Sequence, residues 1–543
     1  MKKIYFFVLP LFLLAGRLDA QSFSWVNVAG NSTFIDYGLG VTVDNNHHVI
    51  ATGMHFDAGT FGSTTLSPYG IQDAYVAKYD STGALMWVKG IGGGEQDWGY
   101  AVTTDASDNI YVTGTYAWYA LHFTPTDSLP ISAAQATNVF IAKYDPNGNF
   151  LWARNGGCSY SKSTSVTTDA SGNAIISGFF NSSIVFSSTT LSGGGSNLFL
   201  VKYSPTGNLV WAKAGVSNSL CATNALKCDA SGNIYATGKI STDITFGSST
   251  FTHIGGDDMY TAKFDANGTV QWLKLEGKSL LASTTGNNFD CGNGLDVDNA
   301  GNVYVCGSLL DTFINATFYQ SLAIVKYNNG GTKQWLYKYN NNNGVDVCNS
   351  LSLDAAGNPI VIGTYQGALT IGTSVLPNAI DQDVFIAKFN ASGTCMSSMG
   401  LGTGNGDDNG NGICVDRNGS FVAITGTMRQ TLNFGTLTAN GDNAGTIFVA
   451  KMVGSALNGI SSFDEMNNFS LYPNPSNGIV NLQLNAAGNY LVEVYNSTGQ
   501  LIFSEQTKEQ LSSIDLSEFS PGTYFVLVTD NSGNRSTRKF VRE

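Results

Sequence analysis

Segments in which apolar and polar residues alternate run through most of this chain, and many are joined by a turn of the form Asp-x-x-Gly. Two examples are IAKYDPNGNFLW (141–152) and LKCDASGNIYATG (226–238). An alternation with a period of two predicts β-strands with one buried face, and the short turn between two of them predicts an antiparallel hairpin. The pattern therefore predicts an all-β protein.

Three landmarks return in this pattern at intervals of roughly sixty residues: a lysine, a tryptophan and a turn aspartate. The lysines are Lys78, Lys143, Lys202, Lys263, Lys326, Lys388 and Lys451. The tryptophans are Trp25, Trp87, Trp152, Trp211, Trp272 and Trp335, with Ser397 at the seventh place. The turn aspartates are Asp44, Asp105, Asp169, Asp229, Asp298, Asp354 and Asp416. Each cycle holds two hairpins, and the cycles together predict a seven-bladed β-propeller with four-stranded blades.

The two ends of the repeat region carry complementary half-motifs. The segment SFSWVNVAG (22–30) contains a tryptophan without a lysine strand before it, and VAKM (449–452) contains a lysine strand without its second half. Pairing of these two segments closes the ring and leaves no free sheet edge. We therefore predict one propeller over residues 21–452, closed by its N-terminal and C-terminal strands.

The complete cycle resembles a known family. A short motif such as TFGSTTL (60–66) is followed by DAYVAKYDSTGALMW (73–87) and then by a hairpin such as 226–238. This succession resembles the SBBP repeats of secreted bacterial β-propellers over roughly residues 22–452. The short motif predicts an extra small hairpin between the second and third strands of most blades. Ser397 departs from the pattern, so we expect weaker packing of its strand.

A different pattern begins after a polar linker at 453–468. Residues 469–543 alternate as strands between Asn-Gly, Thr-Gly and Pro-Gly turns, which predicts a small antiparallel β-sandwich. The module resembles the type A C-terminal sorting domain of the type IX secretion system. The residues that carry the resemblance as a sorting signal are Pro473, Asn474, Pro475, Gly478, Gly522, Tyr524, Lys539 and Phe540. The resemblance implies the type IX secretion machinery as a partner and delivery to the surface of a Gram-negative bacterium, usually with removal of the module.

The first twenty residues are typical of a secretory signal peptide. Lys2 and Lys3 precede an apolar run at 4–15, and the segment ends at the small residue Ala20. No later segment reaches the ~20 apolar residues of a membrane-spanning helix. A formal net charge of −13 argues against a nucleic-acid partner. We therefore expect a secreted protein at the cell surface or outside the cell.

Export permits disulfide bonds among the eight cysteines. Cys158, Cys221, Cys291 and Cys348 fall in equivalent connections of consecutive cycles, so neighbouring pairs can form. Buried free thiols are the alternative, because cysteine packs as a small apolar residue. The chain contains no Cys-x-x-Cys, which disfavours a zinc site.

Five cycles carry an aspartate at the same distance before the turn aspartate: Asp36, Asp97, Asp290, Asp346 and Asp408. The residue four positions before the turn aspartate is small in every cycle: Gly40, Ala101, Ser165, Ala225, Gly294, Ser350 and Gly412. Small residues there indicate strands that crowd the propeller axis. One hypothesis is a carboxylate ring at a channel mouth that binds calcium or a sugar. The alternative is that each carboxylate accepts hydrogen bonds from nearby backbone.

Aromatic residues that depart from the repeat cluster in the second cycle. They are Trp98 and Tyr100, with Tyr116, Trp118 and Tyr119 further along. A binding site on a repetitive fold is grafted where the repeat is broken. One hypothesis is that Trp98, Tyr100 and Trp118 contact a sugar or a peptide, and the alternative is that these aromatic residues pack within their loops.

The repeated lysines and tryptophans favour a structural role. The lysine stem is expected to pack on neighbouring strands while the ammonium is paired. If the hairpin turn has three residues and a bulge, Trp87 lies opposite Ala77 and Trp152 opposite Ala142, so that a large residue faces a small one.

Sequence signatures of catalysis are scarce. The five histidines show no H-E-x-x-H spacing, and there is no G-x-S-x-G elbow or P-loop. A sialidase needs several arginines, and the predicted propeller has Arg154, Arg417 and Arg429. We predict a non-enzymatic binding or adhesion protein that needs no cofactor apart from the calcium considered above. A carbohydrate-active enzyme that uses loop carboxylates and a structural surface protein are the alternatives.

Overall fold

A computed structural model describes residues 22–30, 33–132, 136–277, 290–314, 317–339, 346–402, 406–453, 469–484, 488–496, 500–530 and 535–543. The chain divides into two compact units, one ending at Asn458 and the other beginning at Gly459. The predicted signal peptide at 1–20 and all of the linker except Val453 lie outside the described residues.

All regular secondary structure in these described ranges is β-strand, and the ladders between strands are antiparallel. The prediction of an all-β chain is confirmed. The described segments contain no helix that is long and apolar enough to cross a membrane.

The strands described in the first unit form seven sets of four, numbered here as sheets 1 to 7 along the chain, and successive strands of each set pair with one another. Sheets 2 and 3 are also joined to each other by strand pairing. Sheet 1 consists of Tyr37–Val43, Val49–Phe56, Gln72–Tyr79 and Leu85–Ile91. Sheet 2 consists of Trp98–Thr104, Ile110–Ala117, Thr137–Tyr144 and Phe150–Cys158. Sheet 3 consists of Ser161–Thr168, Ala174–Phe186, Thr189–Tyr203 and Leu209–Ser217. Sheet 4 consists of Cys221–Cys228, Ile234–Ile240, Asp258–Phe264 and Val270–Glu276.

The remaining three sheets follow the same plan. Sheet 5 consists of Cys291–Val297, Val303–Ile314, Thr317–Tyr327 and Lys333–Tyr339. Sheet 6 consists of Val347–Leu353, Pro359–Gly367, Ala379–Phe389 and Cys395–Leu401. Sheet 7 consists of Asn409–Val415, Val422–Met428, Thr446–Val453 and Ser22–Gly30. The fourth strand of sheet 7 thus comes from the other end of the repeat region, with Trp25 opposite Lys451.

The first strands of the sheets lie against one another. Each contacts the first strand of the next sheet, and the first strand of sheet 7 contacts that of sheet 1. The approach is close: a Cβ atom on Gly294 would lie 2.6 Å from the backbone nitrogen of Leu351, and one on Gly40 would lie 3.2 Å from the Cα of Ala101. Small residues are therefore required at these positions, as the sequence pattern predicts.

Extra small hairpins are present between the second and third strands of several sheets, as predicted. Those outside the longer strands are Thr60–Phe61 with Thr64–Thr65, Leu121–His122 with Ser128–Leu129, Ile244–Phe246 with Ser249–Phe251, Thr370–Ile371 with Ser374–Val375, and Thr431–Phe434 with Leu437–Asn440. Several pair with the last strand of the preceding sheet: Phe61 lies opposite Ala29, and Phe246 opposite Gly215. Neighbouring sheets are therefore also joined near their last strands.

The repeated lysine and tryptophan form a latch between neighbouring sheets. In sheet 2, Lys143 Nζ and Trp152 Nε1 both donate to the carbonyl oxygen of Pro205 in the last turn of sheet 3, at 3.1 and 3.0 Å. Gly207 in that turn has a φ of +81°, and a Cβ there would lie 2.8 Å from the Trp152 ring. Equivalent pairs are Lys78 and Trp87 on Pro146, Lys202 and Trp211 on Ala266, Lys326 and Trp335 on Ala391, and Lys451 and Trp25 on Ser81.

The latch confirms the structural interpretation of these residues and corrects one detail. Lys78 also forms an ion pair of 2.8 Å with the turn carboxylate of Asp44. Trp87 lies opposite Lys78 rather than opposite Ala77, because the bulge falls after the lysine and shifts the register by one residue. Trp152 likewise lies opposite Lys143 rather than Ala142.

Ser397 in sheet 6 occupies the place of the missing tryptophan. It would face the last turn of sheet 7, but the third and fourth strands of that sheet are not joined by a turn, since they come from opposite ends of the repeat region. A tryptophan at position 397 would have no turn carbonyl of this kind to bind. The departure at Ser397 is thus explained by the split sheet.

The second unit has two antiparallel sheets in its described residues. One consists of Phe469–Tyr472, Ile479–Leu484 and Leu511–Asp515. The other consists of Leu501–Thr507, Tyr490–Asn496, Gly522–Asp530 and Arg535–Arg542. Side chains of both sheets form one buried core, which includes Leu482, Val494, Val526 and Phe540.

The latch predicts a difference between two substitutions. Trp211→Ala removes a ring that packs against Gly268 of the next sheet and a hydrogen bond to Ala266. We expect it to lower the free energy of unfolding by about 2–3 kcal/mol. Ser397→Ala is the matched control and should change it by less than about 0.5 kcal/mol. Denaturant unfolding of both variants measures the difference, and equal effects would contradict the latch.

Candidate functional site

Every first strand in sheets 1 to 7 contains a β-bulge at the same place. The bulged residues, in sheet order, are Leu39, Tyr100, Thr164, Asn224, Asn293, Asn349 and Asn411. A bulge leaves one residue out of the ladder and redirects its side chain. In this molecule it directs that side chain toward the next sheet, as the hydrogen bonds of the asparagines indicate.

Four bulged asparagines form a chain of hydrogen bonds from sheet to sheet. Each donates from Nδ2 to the carbonyl oxygen of the residue before the next bulge: Asn224 to Gly292 at 3.0 Å, Asn293 to Cys348 at 3.1 Å, Asn349 to Gly410 at 2.9 Å and Asn411 to Gly38 at 2.9 Å. The Thr164 hydroxyl donates to Thr223 in the same manner. The sequence analysis missed this role, although the recurrence of asparagine at this position is visible in the sequence.

The asparagine pattern is interrupted at sheets 1 and 2, where the bulged residues are Leu39 and Tyr100. Aromatic packing takes its place. The rings of Tyr37 and Trp98 lie 5.5 Å apart, and Trp98 stacks on Tyr100 with centroids 5.7 Å apart and planes 9° from parallel. Lys162 Nζ of sheet 3 lies 3.8 Å from the Tyr100 ring centroid. We call Tyr37, Trp98, Tyr100 and Lys162 the aromatic sector.

Burial changes the pKa values of two groups in the aromatic sector, Lys162 and Tyr100. It lowers the pKa of Lys162 to about 8, because a charged ammonium is less well solvated there than in water. It also raises the pKa of Tyr100, with a further contribution from Tyr160. The Tyr100 ring face compensates part of the lost hydration of the ammonium through a cation–π contact. The sector thus offers aromatic faces and one cationic donor that is only partly exposed.

Exposed aromatic residues lie on neighbouring segments. Trp118 is 52% exposed and Tyr160 is 52% exposed. Trp118 directly follows Ala117, whose amide donates to Asp97 beside the start of the Trp98 strand. No ring contact among the described residues joins Trp118 to Trp98 or Tyr100. The structure therefore brings Trp98 and Tyr100 together and leaves Trp118 as a separate exposed ring.

Two cavities lie next to this part of the molecule. One has a volume of about 450 Å³ and is lined by Tyr160, Phe179 and Leu220, among others. The other has a volume of about 860 Å³ and shares Asn181 and Ser182 with the first. Such volumes fall within the usual range of small-ligand sites. Aromatic, hydroxyl and amide groups line them, which suits a polar ligand with apolar faces.

The five aspartates of the hypothesised carboxylate ring are all buried, with Asp36, Asp97 and Asp346 at 0% exposure, Asp408 at 1% and Asp290 at 3%. Asp36 accepts a hydrogen bond from the Phe56 amide at 2.7 Å, and Asp408 accepts one from the Arg429 amide at 2.8 Å. Asp97 and Asp290 accept from the amides of Gly93 and Leu310. These contacts correspond to the backbone alternative, and a ligand role for these residues stays a prediction.

The structure shows a second set of buried aspartates. The sequence analysis did not identify these residues as a site, although they belong to the repeat motif. These residues lie near the start of third strands and are Asp73, Asp258 and Asp383. Burial is the main cause of the raised pKa values of Asp97, Asp290 and Asp408, and the nearby carboxylates of Asp73, Asp258 and Asp383, respectively, raise them further. At Gly277 the two carboxylates are neighbours, since a Cβ there would lie 2.1 Å from Asp258 Oδ1 and 3.3 Å from Asp290 Oδ2.

Metal and disulfide chemistry find little support in the described ranges. No three His, Cys, Asp or Glu side chains there come together in an arrangement that could hold a metal ion. All eight cysteines are free thiols, which corresponds to the free-thiol alternative and not to disulfides between neighbouring connections. Cys221 and Cys348 are instead buried, as the free-thiol alternative states. Burial and the neighbouring Cys306 thiol raise the pKa of Cys348.

The predicted sorting residues divide into an exposed loop and a buried set. Pro473, Asn474 and Pro475 are exposed, and Asn474 Oδ1 accepts a hydrogen bond from the Val541 amide at 2.9 Å. The carbonyl of Gly478 accepts from the Leu516 amide at 2.7 Å. Tyr524 and Phe540 are buried opposite each other. Gly522 pairs with Arg542 at the end of the same ladder, and the Lys539 side chain lies outside the described set.

The buried carboxylates predict that stability falls with rising pH. The pKa is raised by burial to about 8 for Asp97 and to about 7 for Asp290 and Asp408, against about 3.9 in an unfolded chain. From pH 6.5 to 8.0 the folded protein holds protons that the unfolded chain has released, so the free energy of unfolding decreases. His55, lowered to about 4, titrates below this window. Lys162, lowered to about 8, starts to lose its proton in the folded protein near pH 8 and so offsets a small part of the decrease at the upper limit. We expect Asp97 alone to contribute about 1–2 kcal/mol.

Thermal unfolding at pH 6.5 and 8.0 measures this effect. Asp97→Asn should reduce the difference between the two pH values, because the amide does not ionise. Asp127→Asn replaces an exposed carboxylate and should leave the difference unchanged. An unaltered difference in Asp97→Asn would mean that this carboxyl is ionised throughout the window.

Comparison with known proteins identifies the C-terminal unit. Residues 470–543 match the family described as the secretion system C-terminal sorting domain. The prediction of a C-terminal sorting domain is thus confirmed, and the match indicates export to the cell surface or the extracellular space.

The rest of the chain is similar to several proteins at low identity. An uncharacterised WD repeat-containing protein of Acanthamoeba polyphaga mimivirus is 24% identical over 512 residues, which cover 76% of this chain and 36% of the relative. The chain therefore spans only about a third of that protein. A copper-bound fungal alcohol oxidase of the AA5 family is 12% identical, with a TM-score of 0.40 over 96% of this chain and 99% of the other. PorZ, a surface component of the type IX secretion system of Porphyromonas gingivalis, is 11% identical, with a TM-score of 0.28 over 93% and 81%.

Proposed function

We propose that this chain is a non-enzymatic binding protein of the bacterial cell surface, in which sheets 1 to 7 are the blades of a closed SBBP-type propeller and the aromatic sector binds carbohydrate. Closure is supported by the contacts of the first strands, which return from sheet 7 to sheet 1. It is also supported by the hydrogen bond from Asn411 to Gly38 across that same boundary.

The observation that carries the binding proposal is the interruption of the asparagine chain. In four sheets, the same hydrogen bond from an asparagine side chain joins neighbouring first strands. The fold itself therefore does not require aromatic residues at this contact. At sheets 1 and 2, stacked aromatic rings and a lysine stand in the place of this hydrogen bond. A break in an otherwise repeated contact is where a function is added to a repetitive fold.

The chemistry of the aromatic sector suits a sugar. The C–H face of a pyranose packs on an aromatic ring, while its hydroxyls need donors and acceptors at the ring edge. Trp98 and Tyr100 provide stacked faces, and Lys162 provides a donor. Tyr160 is exposed and lines one of the two cavities, and Trp118 is a separate exposed ring.

Export by the type IX machinery completes the proposal. The sorting unit binds the secretion machinery through the exposed loop at 473–475, and the propeller is delivered outside the cell. The tie between Asn474 and the last strand holds this loop against the end of the chain. Surface delivery places the aromatic sector where extracellular glycans are found.

Replacement of the aromatic residues tests the binding proposal. We expect Trp98→Ala and Trp118→Ala to weaken the binding of a glycan selected on an array by at least tenfold, because each removes a stacking surface. Trp211→Phe, which keeps a ring in the latch, is the matched control and should bind normally. The measurement is titration calorimetry, with the unfolding temperature recorded to verify the fold. Normal binding by both alanine variants would contradict the proposal.

Deletion of residues 469–543 tests the sorting proposal. We expect the shortened protein to accumulate in the periplasm, because the secretion machinery no longer recognises it. Replacement of both Pro473 and Pro475 by alanine should reduce surface delivery while the unit stays folded, since both side chains are exposed. Cell fractionation with surface proteolysis measures the distribution, and Asp127→Asn serves as the exported control. Surface delivery of the deletion variant would refute the assignment.

A further inference from the structure

A third cavity lies at the other end of the first strands, where they run into their turn aspartates. It has a volume of about 350 Å³ and is lined by residues of six sheets, all except sheet 3. The aromatic sector lies nearer the start of the same strands, where Trp98 precedes Thr103 of the cavity wall by five residues. We call this space the axial cavity.

Two positions of the repeat hold neutral residues in most sheets, and the residues that are charged at these positions line the axial cavity. The residues two places before the turn aspartates are Thr42, Thr103, Thr167, Lys227, Asp296, Ser352 and Cys414. The residues directly after the turn aspartates are Asn45, Ala106, Ala170, Ala230, Asn299, Ala355 and Arg417. All but three of these residues are small or neutral. The three charged residues, Lys227, Asp296 and Arg417, all line the axial cavity.

Asp296 holds Lys227 in place. Lys227 Nζ lies 3.0 Å from Asp296 Oδ1, and Asp296 Oδ2 accepts a hydrogen bond of 3.0 Å from the Leu353 amide of the next sheet. The neighbouring carboxylate raises the pKa of Lys227, so the side chain stays an ammonium at neutral pH. Arg417 donates to the neutral amide oxygen of Asn45.

The other carboxylates at the cavity wall already have partners. Asp354 forms an ion pair of 2.8 Å with Lys388. Asp416 lies 2.9 Å from His47. Asp298 accepts hydrogen bonds from Ala300 and Asn302 of its own turn. The groups that remain available for hydrogen bonding at the cavity are therefore mainly donors, namely the Lys227 ammonium and the Arg417 guanidinium.

The two members of the pair differ in exposure, since 45% of the Lys227 side chain is exposed and 9% of the Asp296 side chain. The Lys227 side chain therefore stays accessible from the cavity. Two places before the turn aspartate, threonine or serine stands in sheets 1, 2, 3 and 6 and cysteine in sheet 7, and the residue directly after that aspartate is neutral in sheets 1 to 6. The fold thus does not require the charges of Lys227, Asp296 and Arg417, which favours a role in binding.

We propose that the axial cavity binds an acidic sugar, with its carboxylate between Lys227 and Arg417. A planar guanidinium and an ammonium recognise a carboxylate through charge-assisted hydrogen bonds. Thr42, Thr103 and Asn299 at the same wall provide neutral groups for the ring hydroxyls. A volume of about 350 Å³ is within the range of small-ligand sites. This site is independent of the aromatic sector.

Calorimetric titration of the exported protein with D-glucuronate and with D-glucose tests the proposal. We expect binding of glucuronate, at least tenfold weaker binding of glucose, and weaker glucuronate binding as NaCl is raised, since salt screens the charges. Arg417→Gln, at an exposed position, should weaken glucuronate binding at least tenfold. Lys227→Met combined with Asp296→Asn removes both charges of the pair without leaving either one unpaired, and should do the same.

Two controls separate this site from others. Lys213→Met removes an exposed lysine on the last strand of sheet 3 and should bind glucuronate normally. Trp98→Ala should also bind it normally, which keeps this result distinct from a failure of the aromatic sector. Absence of glucuronate binding, equal binding of glucose, or unchanged affinity in both cavity variants at an unchanged unfolding temperature would overturn the proposal.

Discussion

The close contact between neighbouring first strands is the constraint on which the rest of the first unit depends. Strands that approach within van der Waals distance of each other's backbone leave no room for a Cβ at Gly294 and little at Gly40. Polar backbone groups at such a contact need partners, because an unpaired buried carbonyl is costly. The bulged asparagines provide these partners, and each one ties its own sheet to the next.

The same constraint explains why the two candidate sites differ from their surroundings. Where the fold dictates the side chain, the repeat is regular: small residues at the contact, asparagine at most bulges, lysine and tryptophan at the latch. Trp98, Tyr100 and Lys162 at one end, and Lys227, Asp296 and Arg417 at the other, do not follow these rules. Irregular positions in a regular molecule are the natural place to look for binding.

The sequence predicted the strands well because alternation and turn chemistry are local. It also predicted that Trp98 and Tyr100 belong together, since they flank one residue on the same strand. It did not predict that Trp118 stands apart, because ring contacts depend on the path of the chain after Ala117. The sequence left open whether Asp36 and its equivalents bind a ligand or accept backbone hydrogen bonds, because burial is not visible in sequence. The Trp87 pairing was displaced by one residue because a bulge position cannot be read from residue types alone.

The composition of sheet 7 has a consequence for biosynthesis. Its fourth strand, Ser22–Gly30, is among the first segments of the described chain to be made, and its partner Thr446–Val453 is among the last of the first unit. The early strand must wait through the synthesis of six other sheets before it can pair. Completion of this unit is thereby postponed until Thr446–Val453 has been made, after every other described strand of the first unit.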